Sequence, residues 1–323
     1  MAKIFATRPL PGDALDRLSQ EHTVTVHPGD VSPTPEELIR GVKDADVLIC
    51  LLTDKIDTSV ISAGSSLKIV ANYAVGTNNI DVDWATVSDV AVLNTPGVLT
   101  DASADMAFAL LLATARRLGE ADRFVREGKW QGWEPNLLLG TQVTGKTLGI
   151  VGMGRIGVAM AQRARGFGMQ ILYTNRQPVP AGLERDLGAS FVELDELVQR
   201  SDFVSLHCPL TPKTRHMFNR KILSSMKQGS ILINTARGPV VDEKALVEAL
   251  EQGPLRAAGL DVFEDEPNVH PKLLTLPNVL LAPHVGSATY ETRSEMANIL
   301  VQGIQKVLND EQPNNLVNPE VFG

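Results

Sequence analysis

The sequence predicts an α/β protein of two lobes, one of them built on a Rossmann-type doubly wound parallel sheet. Three observations carry this reading. The chain has 323 residues, more than one ordinary core accommodates. Short apolar runs alternate with helical stretches in two blocks, one over the first hundred residues and one from 147 to about 285. The second block opens on TLGIVGMGRIG, residues 147–157, where Gly152, Gly154 and Gly157 fall in the spacing G-x-G-x-x-G.

That stretch organises the rest. Leu148, Ile150 and Val151 form the apolar run of a buried parallel strand, and Ile156, Met160, Ala164 and Phe167 then recur at helical intervals up to a stop at Gly168. The first glycine makes a tight turn, the second lets a pyrophosphate approach the backbone, and the third lets helix and strand pack closely. The helix start offers free N–H groups and a positive dipole end to the phosphates. Three glycines in a loop are often only a turn; between a strand and a helix they indicate a dinucleotide site.

In the first block KIFAT (3–7), TVTVH (23–27), DVLICLL (46–52), LKIVANY (67–73) and AVLNT (91–95) read as strands. One helix between them starts at Thr34-Pro35-Glu36-Glu37, where Thr34 caps, Pro35 suits the first helical position and Glu37 closes a capping box. A single long helix is predicted from about Asp101 to Arg126; its first half, ADMAFALLLATA, is apolar around most of its circumference and must be covered by core or by a second subunit. GKWQGWEPNLLLG (128–140) follows as a loop carrying two of the three tryptophans. The second block gives six strands: TLGIVG, QILYTN, FVSLHC, SILINTA, AAGLDVF and VLLAPHV. Glu291 to Asp310 is a final amphipathic helix.

Composition narrows the function classes. A net charge of −8 without a long basic run argues against a nucleic-acid partner, and no apolar run approaches the ~20 residues of a membrane span. The N-terminus lacks a signal-peptide pattern, and Cys50 and Cys208 lie far apart without metal-ligand spacing. A cytoplasmic protein with no metal site is the resulting expectation.

The second strand of the dinucleotide fold usually ends in an acid that binds the ribose hydroxyls of NAD. Here QILYT ends in Asn175-Arg176-Gln177, and the first acid is Glu184 in the next helix. Arg176 suits a 2′-phosphate, which a carboxylate would repel. NADPH is therefore the expected cofactor, with NADH possible.

Ligands of such sheets lie beyond the carboxyl ends of the strands. Arg237-Gly238 follows SILINTA, the acids Glu264, Asp265 and Glu266 follow AAGLDVF, and His284 follows VLLAP. Each has a bland reading as a surface or turn residue, and His207, at another strand end, competes with His284. Together they match a redox need: reducing a 2-keto acid takes a cation for the carboxylate, a proton donor for the nascent alkoxide and an acid to tune that donor.

The segments LGIVGMGRIG, HCPLT, INTARG, GLDVFEDEP and LAPHVGSAT resemble the D-isomer-specific 2-hydroxyacid dehydrogenase family, in its order and spacing over most of 70–290. AVGTNNID, NTPGVLT, GWEP and YTNRQ are most similar to its glyoxylate/hydroxypyruvate reductase (glycerate dehydrogenase) branch. The resemblance implies NAD(P)H-dependent reduction of glyoxylate and hydroxypyruvate to glycolate and D-glycerate. It implies that Arg237 binds the substrate carboxylate, that His284 is the acid/base, and that Glu266 pairs with it and raises its pKa from about 6.5. Val75 and Gly76 would offer N–H groups to the carboxylate. Thr100, Gly152, Gly154, Arg155, Ile156, Gly157, Asn175, Arg176, Cys208, Pro209, Thr214, Thr235, Ala236, Asp261 and Gly286 would line the cofactor.

The family fold is discontinuous, so 1–98 with 288–323 is expected as a smaller flavodoxin-like substrate domain and 99–287 as the dinucleotide domain. The resemblance also implies a homodimer through 100–140, with Trp133 reaching the neighbour's active site. Many members have Asp where this chain has Asn78, which puts any contact needing a charge there in question. Alternatives within the family are a phosphoglycerate or D-lactate dehydrogenase, the former disfavoured because the chain ends without an added regulatory domain. A dinucleotide-sensing corepressor-like protein is the alternative from another class.

Overall fold

The sequence signals become element ends in a computed structural model that describes residues 1–29 and 31–323. Thr34 begins the helix Pro35–Val42 with a complete capping box: its Oγ1 accepts the N–H of Glu37, and Glu37 Oε2 accepts the N–H of Thr34 at 2.8 Å. The chain forms two compact units, Met1–Leu99 with Ser287–Gly323, and Thr100–Gly286.

The first unit alternates β1 (Lys3–Ala6), α1 (Ala14–Glu21), β2 (Thr23–Val26), α2 (Pro35–Val42), β3 (Val47–Cys50), α3 (Thr58–Ala63), β4 (Ile69–Asn72), α4 (Val82–Val87) and β5 (Ala91–Leu93). Its five strands are parallel in the order β2-β1-β3-β4-β5. β3, β4 and β5 are buried throughout, the run of apolar residues expected of a parallel sheet covered on both faces. The last helix, Tyr290–Leu308, covers one face through Met296, Ala297, Leu300, Val301 and Ile304.

The second unit contains α5 (Thr100–Ala115), α6 (Leu118–Arg126), β6 (Thr147–Val151), α7 (Arg155–Gly166), β7 (Gln170–Thr174), α8 (Ala181–Leu187), β8 (Ala189–Phe191), α9 (Leu194–Arg200), β9 (Phe203–Leu206), α10 (Arg220–Ser224), β10 (Ile231–Asn234), α11 (Glu243–Glu251), β11 (Ala257–Leu260) and β12 (Val279–Leu281). The final helix of the chain is α12 (Tyr290–Leu308), in the first unit. The sheet order is β12-β11-β10-β9-β6-β7-β8, the doubly wound arrangement with β6 at the centre. No helix among the described residues is long and apolar enough to cross a membrane.

Two expectations are corrected. The sheet has seven strands, not six: β8 is a three-residue strand too short for a periodic signal, held beside β7 with Phe191 edge-on to Tyr173. The predicted helix 101–126 is two helices. The chain returning from the 128–140 loop crosses the end of α5, where Thr141 N–H donates to the Ala115 carbonyl at 2.8 Å and takes the place of the next helical turn. Arg117 then takes left-handed backbone (φ 54°) before α6. α5 itself is largely covered within its own unit, whereas α6 buries no residue.

Candidate active site

The glycine loop shows why each glycine is there. Gly152 has φ +100°, and a Cβ on it would lie 2.7 Å from the Cys208 backbone nitrogen. A Cβ on Gly157 would lie 2.3 Å from the Gly152 carbonyl oxygen, so α7 rests directly on the turn. Over Gly154 there is open space, and no side chain caps α7. Free N–H groups at a helix start beside an open backbone are the features a pyrophosphate requires. Thr235 Oγ1, beyond β10, is buried without a partner among the described residues, a hydroxyl left for a ligand. These residues fit a dinucleotide.

At the end of β7, Asn175 Oδ1 accepts the Met153 N–H at 3.1 Å and ties that strand end to the glycine loop. Arg176 is exposed. Glu184, the first acid after β7 in sequence, accepts the Tyr173 hydroxyl at 2.6 Å from α8 and is already engaged.

Arg237, Glu266 and His284 follow β10, β11 and β12, which are adjacent in the sheet. The turns carrying the first two touch: a Cβ on Gly238 would lie 1.7 Å from the Phe263 carbonyl oxygen, and only glycine permits that approach. His284 Nδ1 lies 2.7 Å from Glu266 Oε2, and Glu266 Oε1 accepts the Phe263 N–H at 3.0 Å. Burial raises the Glu266 carboxyl, but the His284 hydrogen bond, the Phe263 N–H and the Arg237 charge together hold it below the usual carboxylate range. Burial pushes the Arg237 guanidinium down, and the Glu266 charge opposes that.

His284 has left-handed backbone, φ 54°, a conformation that costs a non-glycine residue about 1–3 kcal/mol unless its surroundings enforce it. Asp261, at the end of β11 and buried, supplies that enforcement: Oδ1 accepts the Val285 N–H at 2.8 Å, and the Gly286 N–H also bonds to its carboxylate. Burial raises the Asp261 carboxyl above its ordinary value. With an ionised carboxylate at Nδ1, that nitrogen carries the proton and Nε2 is left to face a substrate.

His207, the rival histidine, does not join them. Burial pushes its pKa down to about 4, its Nε2 lies 2.8 Å from Ser205 Oγ, and its N–H donates to Val151 O at 2.8 Å. Next to it Cys208 is buried and Pro209 exposed; Thr214 donates its hydroxyl to the Pro209 carbonyl at 2.7 Å, bracing this loop beside the glycine turn. Ala236 N–H is held by Asn234 Oδ1 at 3.0 Å, and Thr100 begins α5. Trp133 is 84% exposed. In the first unit, Val75 and Gly76 lie in the loop after β4, where Val75 is exposed.

Residues 108–286 match the family model described as D-isomer specific 2-hydroxyacid dehydrogenase, NAD binding domain. The chain belongs to the D-isomer specific 2-hydroxyacid dehydrogenase family. It is 50% identical to a glyoxylate reductase of Thermococcus onnurineus over 99% of this chain and 97% of the relative. A solved glyoxylate reductase from Paecilomyes thermophila superimposes with a TM-score of 0.88 at 36% identity, covering 98% of both chains. An NADPH-dependent glyoxylate/hydroxypyruvate reductase from Sinorhizobium meliloti does so with 0.85 at 33% identity, over 100% of this chain and 99% of that one.

In this 2-hydroxyacid dehydrogenase one neighbouring cluster leaves no signal in the sequence. His216 Nε2 lies 2.5 Å from Glu264 Oε1, and Glu264 and Glu243 exchange backbone bonds: Glu243 N–H donates to Glu264 Oε2 at 3.2 Å and Glu264 N–H to Glu243 Oε1 at 2.7 Å. Burial raises the Glu243 carboxyl. The pair is 48 residues apart in sequence, and no local spacing signals it.

Proposed function

We propose that this chain is an NAD(P)H-dependent reductase of small 2-keto acids, turning glyoxylate into glycolate and hydroxypyruvate into D-glycerate. The observation that carries the reading is the His284–Glu266 contact of 2.7 Å beside the Arg237 cation. A bound nicotinamide dinucleotide supplies the hydride. Arg237 pairs with the substrate carboxylate and orients the carbonyl, and the Val75 and Gly76 N–H groups are assigned to the same carboxylate. His284 hydrogen-bonds the carbonyl oxygen from Nε2 and gives up its proton as the alkoxide forms. Glu266 holds the ring by Nδ1; Asp261 keeps the histidine turned toward its task.

We assign Thr100–Gly286 to dinucleotide binding and the other unit to the substrate. NADPH is the preferred cofactor on this reading: no free acid stands at the end of β7, Arg176 is exposed there, and the Sinorhizobium relative is NADPH-dependent. A homodimer is supported by the apolar surface of α6 and the loop after it, where Leu118, Val125, Trp130, Trp133 and Leu139 are all more than half exposed. Trp133 is our candidate for reaching a second copy's substrate.

Steady-state kinetics on glyoxylate, hydroxypyruvate and pyruvate with both cofactors test the assignment. Turnover of the first two with NADPH is expected, and Asn175→Asp with Arg176→Ala should move the preference toward NADH by on the order of tenfold. Absence of keto-acid turnover in dinucleotide-binding protein would leave the corepressor-like reading; an unchanged cofactor ratio in the double variant would remove the NADPH argument.

A further inference from the structure

The loop after β4 is gripped by its carbonyls. The Ala74 C=O accepts the Thr95 N–H at 2.9 Å. The Val75 C=O accepts from Asn94 Nδ2 at 2.9 Å, and the Gly76 C=O from Asn72 Nδ2 at 2.8 Å. In a trans peptide the N–H points opposite to the C=O of the same unit. Holding the carbonyls of 74, 75 and 76 therefore turns the N–H groups of Val75, Gly76 and Thr77 away from the groups that hold them. None of these three N–H groups has a partner among the described residues. Three successive amides without a partner among the described residues are donors available to an anion.

The two asparagines are themselves built in. Asn72, the last residue of β4, is fully buried. Its carboxamide pairs reciprocally with that of Asn79 at 3.3 Å, and Asn79 Nδ2 also reaches the Leu51 and Asp54 carbonyls at 3.0 and 3.1 Å. Asn94 is fixed through its backbone: its N–H donates to the Asn315 carbonyl at 3.1 Å, and its C=O accepts from Asn315 Nδ2 at 2.9 Å. The C-terminal segment thus holds Asn94, and Asn94 holds the loop. Only a side chain that donates can meet a carbonyl here; an apolar one would leave the peptide free to turn.

We propose that Asn94 and Asn72 are positioning residues for the carboxylate of the 2-keto acid, keeping the Val75–Thr77 amides aimed before the substrate arrives. This rests on the reading that the Val75 and Gly76 amides receive that carboxylate. Preorganisation acts on affinity: the loop need not be ordered when the anion binds. Asn94→Leu in the full chain removes the donor at nearly equal size without adding charge. The KM for glyoxylate and the inhibition constant of oxamate, a carboxylate that is not reduced, should both rise roughly tenfold. The kcat should stay within about threefold, and the dissociation constant for NADPH should not move.

Unchanged KM and oxamate affinity, or a loss confined to kcat, would overturn the proposal. Asn94→Ala, which adds no bulk, repeats the measurement if the leucine variant melts early. Gly76→Pro, which deletes one of the amides, separates the two levels. If it leaves oxamate binding intact, the loop is not the carboxylate seat and the whole reading falls. If it abolishes binding while both Asn94 variants bind normally, the seat stands and the positioning role alone falls.

Discussion

Two histidine–glutamate pairs sit almost side by side in this molecule, and only one is assigned chemistry. Glu264 and Glu266 are two residues apart after β11; His216 and His284 both take left-handed backbone, with φ 49° and 54°. The contacts are 2.5 and 2.7 Å. What differs is the surroundings. The Glu264 carboxylate also accepts the Glu243 N–H at the start of α11, and its own N–H binds Glu243, so it is a brace between two chain segments. The His216 side chain is 40% exposed. Glu266 has the Arg237 charge acting on it, His284 is a quarter exposed, and the turn beyond His284 is held by the buried Asp261. A histidine beside a carboxylate is not in itself a proton donor to substrate; we assign that role to His284 because a cation able to hold a substrate's acid group acts on its glutamate partner.

The sharpest way to break this comparison is a matched pair of asparagine variants, since asparagine tolerates left-handed backbone and leaves the main chain undisturbed. His284→Asn should lower turnover by about 10²–10⁴-fold, the range for loss of a general acid, with dinucleotide affinity retained. Fluorescence titration with NADPH beside initial-rate kinetics checks both parts. Near-normal turnover would dissolve the distinction between the two pairs.

The next effect is on pH. The His284 hydrogen bond and charge hold the Glu266 carboxyl below its ordinary range, against burial. The group is depressed in the folded state: its contribution to stability is present above the unfolded carboxylate value and is lost as pH falls through the folded one. With Glu266→Gln, the loss of stability on acidification should be smaller than in the parent, read by chemical denaturation across a pH series. An acid limb as steep as the parent's would mean that the folded surroundings do not hold this carboxyl down.

Much of this was legible in the sequence where the signal is local. The capping box at Thr34 and the glycine spacing at 152–157 are short-range devices, and each does in the fold what its spacing implies. The placement of Arg237, Glu266 and His284 at strand ends was readable because strand-end residues of neighbouring parallel strands come together on one rim. What was not legible depends on distant chain. The break after α5 is made by Thr141, which no reading of 101–126 contains. β8 has only three residues. Asn72 and Asn94 look like ordinary polar strand ends until the carbonyls they meet are known, and Glu264 and His216 acquire each other only through the sheet.

The smallest expected effect sharpens the comparison most. His216→Asn removes the imidazole from Glu264 but leaves the Glu243 backbone bond to that carboxylate in place. A half-exposed hydrogen-bonded contact of this kind contributes about 0–1 kcal/mol, so chemical denaturation should register a loss within that range. The DVFEDEP segment remains tied to α11 by the reciprocal Glu243–Glu264 bonds, and Glu266 therefore keeps its approach to His284. kcat/KM for glyoxylate should stay within about twofold of the parent, since nothing the substrate touches has moved. A loss approaching that of His284→Asn would show instead that the brace and the active pair behave as one unit, with His216 setting the position of Glu266 from the far side of the turn.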